Sequence, residues 1–209
     1  RDLRMSRGLG DVYKRQRQDR LNGAEDRQKL ADTPTLFREL KNPLTYIIVP
    51  RHSSENRRYI PLGFLDNTFI PADSATIIPE ATLFHFGIIM SNVHMAWVRT
   101  VCGRIKSDYR YSKDIVYNNF PWPTPTDEQK AKIEETAQAI LDARALYPDS
   151  SLADLYDEVA MPPELRKAHQ QNDKVVMQAY GFSVKDMTES MCVAEPIKMY
   201  QDLVCLLYT

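Results

Sequence analysis

From Thr45 onward the chain alternates short β-branched and aromatic runs with prolines, glycines and asparagines. Segments 45–50 (TYIIVP), 58–64 (RYIPLGF), 67–71 (NTFIP) and 74–79 (SATIIP) fit strands. Short apolar runs bounded by turn formers suit a pleated, half-buried surface. Their prolines place them at sheet edges and strand ends, where a missing backbone N–H interrupts no ladder. Residues 81–103 are apolar over a length too great for one strand and close on Gly103, which predicts a buried helix. Residues 107–120 return to an extended texture. After the stiff segment PWPTPT (121–126) the period becomes helical. Thr126 and Gln129 stand at capping-box spacing, and Ile133, Ala137, Ile140 and Leu141 share one face before Pro148 ends the helix. Segment 161–181, with proline at its start and Gly181 in the C′ position, predicts a second helix. The pattern implies an α+β fold: a β-rich part with a buried helix, then a small α-helical part. The proline-rich segment is the boundary between them.

Charge sharpens this division. The 209 residues carry 27 Lys and Arg against 28 Asp and Glu, for a net charge of −1. Residues 17–125 hold fourteen basic and eleven acidic side chains, whereas residues 126–209 hold eight and fifteen. Cys102, Cys192 and Cys205 are too few and too scattered for a disulfide framework. No apolar run approaches the roughly 20 residues of a membrane span, so a cytoplasmic protein is expected. Arg1 stands where an initiator Met would, and the strings RGLGDVYKRQ and DLVCLLYT resemble sequencing-adapter read-through. Residues 1–16 and 201–209 are therefore expected to be artefactual tails on a fragment, with 17–44 a connecting segment.

Most catalytic chemistry is missing from the pattern. His52, His85, His94 and His169 lack the spacing of a metal site, so no metal is expected. Asn42-Pro43-Leu44-Thr45 begins like the Asn-Pro-Pro-Tyr loop that positions a flipped adenine, but lacks the second proline and the stacking aromatic. Glu39-Leu40-Lys41 has the form of a nuclease E-x-K without its upstream Pro-Asp. Outside the N-terminal string no glycine-rich loop could cradle a nucleotide. No catalytic residue and no cofactor bound by this chain are expected.

Two polar clusters carry more information. RTVCGRIKSDYRYSK (99–113) holds five basic residues, one acid and two tyrosines. Basic residues interleaved with aromatics suit a nucleic-acid surface, since the charges displace counterions from phosphate. If 105–111 is extended, Ile105, Ser107, Tyr109 and Tyr111 fall on one face, and Lys106, Asp108 and Arg110 on the other. Lys106 can then donate to guanine O6 and N7 while Asp108 accepts from cytosine N4, which reads a G·C pair. The second cluster, RHSSENRRY (51–59), joins two predicted strands. Asn56 there has the donor and acceptor that suit adenine, and Arg51, Arg57 and Arg58 suit phosphate, as do Arg104, Arg110, Tyr109 and Tyr111. The competing reading is an acidic helical protein-interaction module without DNA binding.

Residues 50–66 (PRHSSENRRYIPLGFLD), 83–112, 115–123 (IVYNNFPWP) and 142–169 resemble the C-terminal part of MmeI-like DNA methyltransferases. That resemblance implies a DNA target-recognition domain over 45–123 and a helical C-terminal domain over 124–200. It implies double-stranded DNA as partner, for a single-chain restriction–modification enzyme or orphan methyltransferase that methylates adenine from S-adenosylmethionine. It also implies that the methyltransferase domain, missing here, is a partner in the parent chain. The family's Lys-x-Asp pair, which helps read one base, falls on Lys106 and Asp108.

Overall fold

The computed structural model describes residues 14–15, 17–23, 25–29, 31–32, 43–182 and 189–208. The chain divides into two compact units, residues 1–42 and 43–209. In the first, residues 17–21 and α1 (Glu25–Gln28) are helical. Asn22 and Gly23 follow the first helical stretch, and Arg17 bonds Asp32 at 3.2 Å. Glu39-Leu40-Lys41 and Asn42 lie outside the described residues.

The second unit is built on two small antiparallel sheets. The first has β1 (Thr45–Pro50) between β3 (Gly63–Asp66) and β4 (Ala75–Pro79), with Ile47 opposite Phe64 and Ile78. β1 and β4 match the expected strands, but two others change. Residues 58–62 are irregular, because Tyr59, Ile60 and Leu62 all turn inward and no two-residue alternation survives. Residues 67–71 form a loop: the Asp66 carboxylate accepts from the backbone N–H and hydroxyl of Thr68 and turns the chain. The second sheet joins β2 (His52–Ser53), β6 (Asp108–Arg110) and β5 (Gly103–Ile105), in that order.

The long apolar stretch forms two helices, α2 (Leu83–Ile89) and α3 (Asn92–Val101). Ser91 makes the break. Its hydroxyl donates to the Ile88 carbonyl at 2.7 Å and accepts from the His94 N–H at 3.3 Å, ending one helix and capping the next. After β6 the chain enters a π-helical turn, Lys113–Tyr117, where an extended segment was expected. The Trp97 indole donates to the Val116 carbonyl at 2.9 Å and fixes this turn to α3.

α4 (Asp127–Ala145) begins at the expected capping box on Thr126 and Gln129. A four-residue helix, α5 (Leu152–Leu155), precedes α6 (Pro163–Ala179), which starts on Pro163 and stops before Gly181 at φ 75°. α7 (Glu189–Tyr208) returns to α3, setting Tyr200 5.7 Å from the Trp97 ring. α2, α4 and α6 meet at Gly87. A Cβ there would stand 2.7 Å from Ile133 Cγ2 and 3.2 Å from Ala137 Cβ. Asn172 closes the junction, donating to the Gly87 carbonyl at 2.7 Å and accepting from Thr136 at 3.0 Å. The 121–126 boundary is a packed joint, with Pro121 and Pro123 buried and the Tyr180 hydroxyl donating to the Pro121 carbonyl at 2.8 Å.

Candidate nucleic-acid interface

The second sheet brings the two polar clusters together. Across it Ile105 opposes Asp108, Arg104 opposes Tyr109, and Gly103 opposes Arg110. On the other side of β6, His52 opposes Arg110 and Ser53 opposes Tyr109. Opposed residues share a face and successive residues alternate faces. The inner face therefore carries Ser53, Tyr109 and Arg104, and the outer face carries His52, Ile105, Asp108 and Arg110, all exposed. This corrects one expectation. Lys106 and Ser107 are the turn between β5 and β6, so the chain reverses and Ile105, 45% exposed, joins Asp108 on the outer face. Lys106 occupies the tip at φ 56°, in the left-handed region that a side chain disfavours.

Glu55 clamps the sheet from the neighbouring loop. Its backbone N–H donates to Asp108 Oδ1 at 3.2 Å, and its carbonyl accepts from the Tyr109 hydroxyl at 3.4 Å. Its carboxylate stands 3.9 Å from Arg104. The Arg104 guanidinium also donates to the Ser107 carbonyl at 2.7 Å and lies 4.4 Å from the centre of the Tyr109 ring. The Tyr111 N–H donates to the Arg51 carbonyl at 2.8 Å, extending the join. Asp108 is thus held in place by one oxygen, while a carboxylate retains capacity for further donors.

The structure sorts the expected contact residues into two groups. Lys106, Asp108, Arg51, Arg58, Arg110 and Asn56 are exposed, and Arg57 is half-buried in the same loop. Asn56 sits at the turn after β2, its N–H on the Ser54 hydroxyl at 3.3 Å. Tyr109 and Tyr111, expected at phosphate, are instead 4% and 2% exposed. Tyr109 lies beneath Arg104, and the Tyr111 hydroxyl shares a 3.0 Å hydrogen bond with His94 Nε2, so both support the sheet from inside. Arg104 lies over Tyr109 and contacts Glu55 and Ser107, yet it is itself exposed like the first group.

Other residues escape a reading by composition. His52 joins the outer face only through its pairing with Arg110, and Glu55 acts through its backbone as much as its charge. Behind the loop lies a buried polar network centred on α6. Asp173, 4% exposed, accepts from the Tyr59 hydroxyl at 2.6 Å and from the Asn92 N–H at 2.7 Å. His169 stacks on Tyr59 at 4.2 Å and shares a 2.7 Å hydrogen bond with Tyr156, which accepts from Arg144 at 2.9 Å. Arg144 in turn donates to the Leu62 carbonyl at 2.7 Å. Burial raises the Asp173 carboxyl to about 6, against the opposing effect of its two hydrogen bonds. Burial lowers His169 to about 3, with Arg144 adding to the effect, and burial alone lowers His94 to about 3. A signal for this network exists in the sequence, since His169, Asn172 and Asp173 fall on the stripe of Leu165, Ala168 and Val176. Among the described residues no group of three or more His, Cys, Asp and Glu is placed to hold a metal ion. Nor is any helix there long and apolar enough to cross a membrane.

The second unit thus combines a small antiparallel sheet that has an exposed, mixed-charge outer face with a set of packed helices. The family described as MmeI, target recognition domain, matches residues 2–124, and MmeI, C-terminal domain, matches residues 125–208. The chain belongs to the MmeI family. It is similar to DNA methyltransferase A of Bacillus subtilis (strain 168), at 40% identity over 176 residues, covering 84% of this chain and 20% of the relative. It is also similar to the solved Type IIL restriction-modification enzyme MmeI in complex with DNA, at 42% identity and a TM-score of 0.84. That match covers 94% of this chain and 26% of the MmeI chain. The chain thus spans about a fifth to a quarter of the length of these relatives.

Proposed function

We propose that this chain reads a short word in double-stranded DNA on behalf of an adenine-N6 methyltransferase of the restriction–modification type. One observation carries the reading: the outer face of the second sheet unites two clusters that lie some fifty residues apart in sequence. Lys106 at the tip donates to guanine and Asp108 beside it accepts from cytosine, while Asn56 reads a further base from the adjoining loop. Arg51, Arg57 and Arg58 from the same polar loop, and Arg110 from β6, neutralise phosphates and set the register. The parent enzyme takes its methyl group from S-adenosylmethionine, in a methyltransferase domain that partners this module in the cytoplasm. Groove contacts offset the cost of extruding the target adenine. The division at the 121–126 joint separates recognition, in 45–123, from helical support, in 124–200.

The test is selection of a randomised duplex pool on the full chain at low salt, followed by sequencing. Enrichment of a fixed word is expected. Reversing the pair, with Lys106→Glu and Asp108→Arg, is expected to change the preferred base at one position, at a cost of about 1–3 kcal/mol for the original base there. Equal weakening at every position would mean that the pair contacts phosphate only.

A further inference from the structure

We propose that the helical layer takes part in target recognition through Asp173, a positioning residue that fixes the two segments leading into the interface. This rests on the DNA-reading role given above and assigns that role a support. Asp173 sits on α6, remote in sequence from either polar cluster, yet one carboxylate oxygen holds the last residue of the first cluster and the other holds the start of the helix that leads into the second. Oδ2 takes the hydroxyl of Tyr59, the residue that closes the loop carrying Asn56, Arg57 and Arg58. Oδ1 takes the backbone N–H of Asn92, the first residue of α3. α3 runs without interruption to Val101, and the chain then passes through Cys102 into β5 and the Lys106 turn. A rotation at the start of a ten-residue helix displaces whatever its far end carries. One buried carboxylate therefore ties both segments to the helical layer, in addition to their direct pairing through β2 and β6, and both bonds are short.

Neighbouring contacts point the same way. His169, one turn earlier on α6, stacks on the Tyr59 ring and blocks it from sliding. Arg144 on α4 holds the Leu62 carbonyl, so the chain leaving the loop is pinned again three residues further on. The helical layer thus grips the recognition loop at Tyr59 and Leu62 and the hairpin through α3, without supplying a group that touches DNA.

The deciding measurement is base discrimination, in which binding to the selected word is compared with its single-base variants across a salt series. Asp173→Asn keeps the side chain's shape and one acceptor but loses the other. Tyr59→Phe removes only the hydroxyl. Both full-length variants are expected to keep the salt slope of the unmodified chain, since the phosphate contacts remain. Asp173→Asn is expected to lose about tenfold in discrimination at the bases read by Asn56 and by Lys106/Asp108, and Tyr59→Phe about tenfold at the base read by Asn56. Unchanged discrimination in a folded Tyr59→Phe chain would overturn the proposal, as would an equal loss of affinity for every sequence. Should Asp173→Asn fail to fold, Tyr59→Phe decides alone. If the unmodified chain enriches no word, it is the DNA-reading role itself that fails, and the two failures are thereby told apart.

Discussion

Lys106 shows how a single residue links conformation to chemistry. Its positive φ costs a side chain roughly 1–2 kcal/mol relative to ordinary backbone. Glycine would remove that strain but would add about 0.5–1 kcal/mol of conformational entropy to the unfolded chain. The balance favours the glycine variant slightly, so Lys106→Gly is expected to raise stability by about 0.5 kcal/mol in denaturant titration while relaxing the preference for one base pair. A loss of stability in Lys106→Gly would mean instead that the lysine supports the turn. The same scale explains why Tyr109 and Tyr111 were misplaced by pattern alone. An aromatic between basic residues looks like a stacking group in sequence. Only the pairing of Arg104 with Tyr109 and of His94 with Tyr111 reveals that both rings face the core.

At the scale of elements, the strongest local signals match the structure. β1, β4, α4 and α6 announce themselves through apolar period, a capping box and an N-terminal proline, all within a few residues. Elements created by distant partners stayed hidden. β2 is two residues long and exists because β6 pairs with it, and the π-helical turn is held by Trp97. The break at Ser91 lies in a run so apolar that a lone serine carries little weight, until its two hydrogen bonds are seen. The candidate site was legible as two clusters, though not as one surface. Gly87 illustrates the same competition between local and tertiary forces. Helix propensity alone favours alanine there by up to about 1 kcal/mol. Packing opposes it, since a Cβ would meet Ile133 at 2.7 Å and the Asn172 oxygen at 3.1 Å, and overpacking costs about 1–3 kcal/mol. Gly87→Ala is therefore expected to lower the thermal midpoint, and a higher midpoint would show that α2, α4 and α6 separate easily.

Across the whole molecule the buried titratable groups make stability depend on pH. His94 and His169 titrate near 3 when folded and near 6.5 when unfolded, so the unfolded chain binds two more protons between these values. Asp173 acts oppositely: its carboxyl is raised to about 6, so between its ordinary range and 6 the folded chain holds one more proton. The histidine contributions are lost as pH falls, and the Asp173 contribution is lost as pH rises toward 6. Two against one leaves a net fall in stability on acidification from about 6 to 4, by roughly 1.4 kcal/mol per pH unit. A thermal midpoint that stays flat across that range would contradict the burial of both imidazoles. With Asp173→Asn the slope is expected to steepen toward twice that value, because the opposing group is gone.

The reach of the Tyr59–Asp173 bond, 114 residues along the chain, has a consequence for the order of folding. Contacts between distant residues must overcome loop-closure entropy before they return any stability, so they form late. Strand β2 must wait for β6, and the loop behind it must wait for α6. As the chain leaves the ribosome, its first strands emerge well before the residues that hold the interface in shape. The interface is thus completed only once the helical layer has been synthesised. A product ending before α6 would carry the basic loop without the acceptor of Tyr59 and α3 without the acceptor of its first N–H.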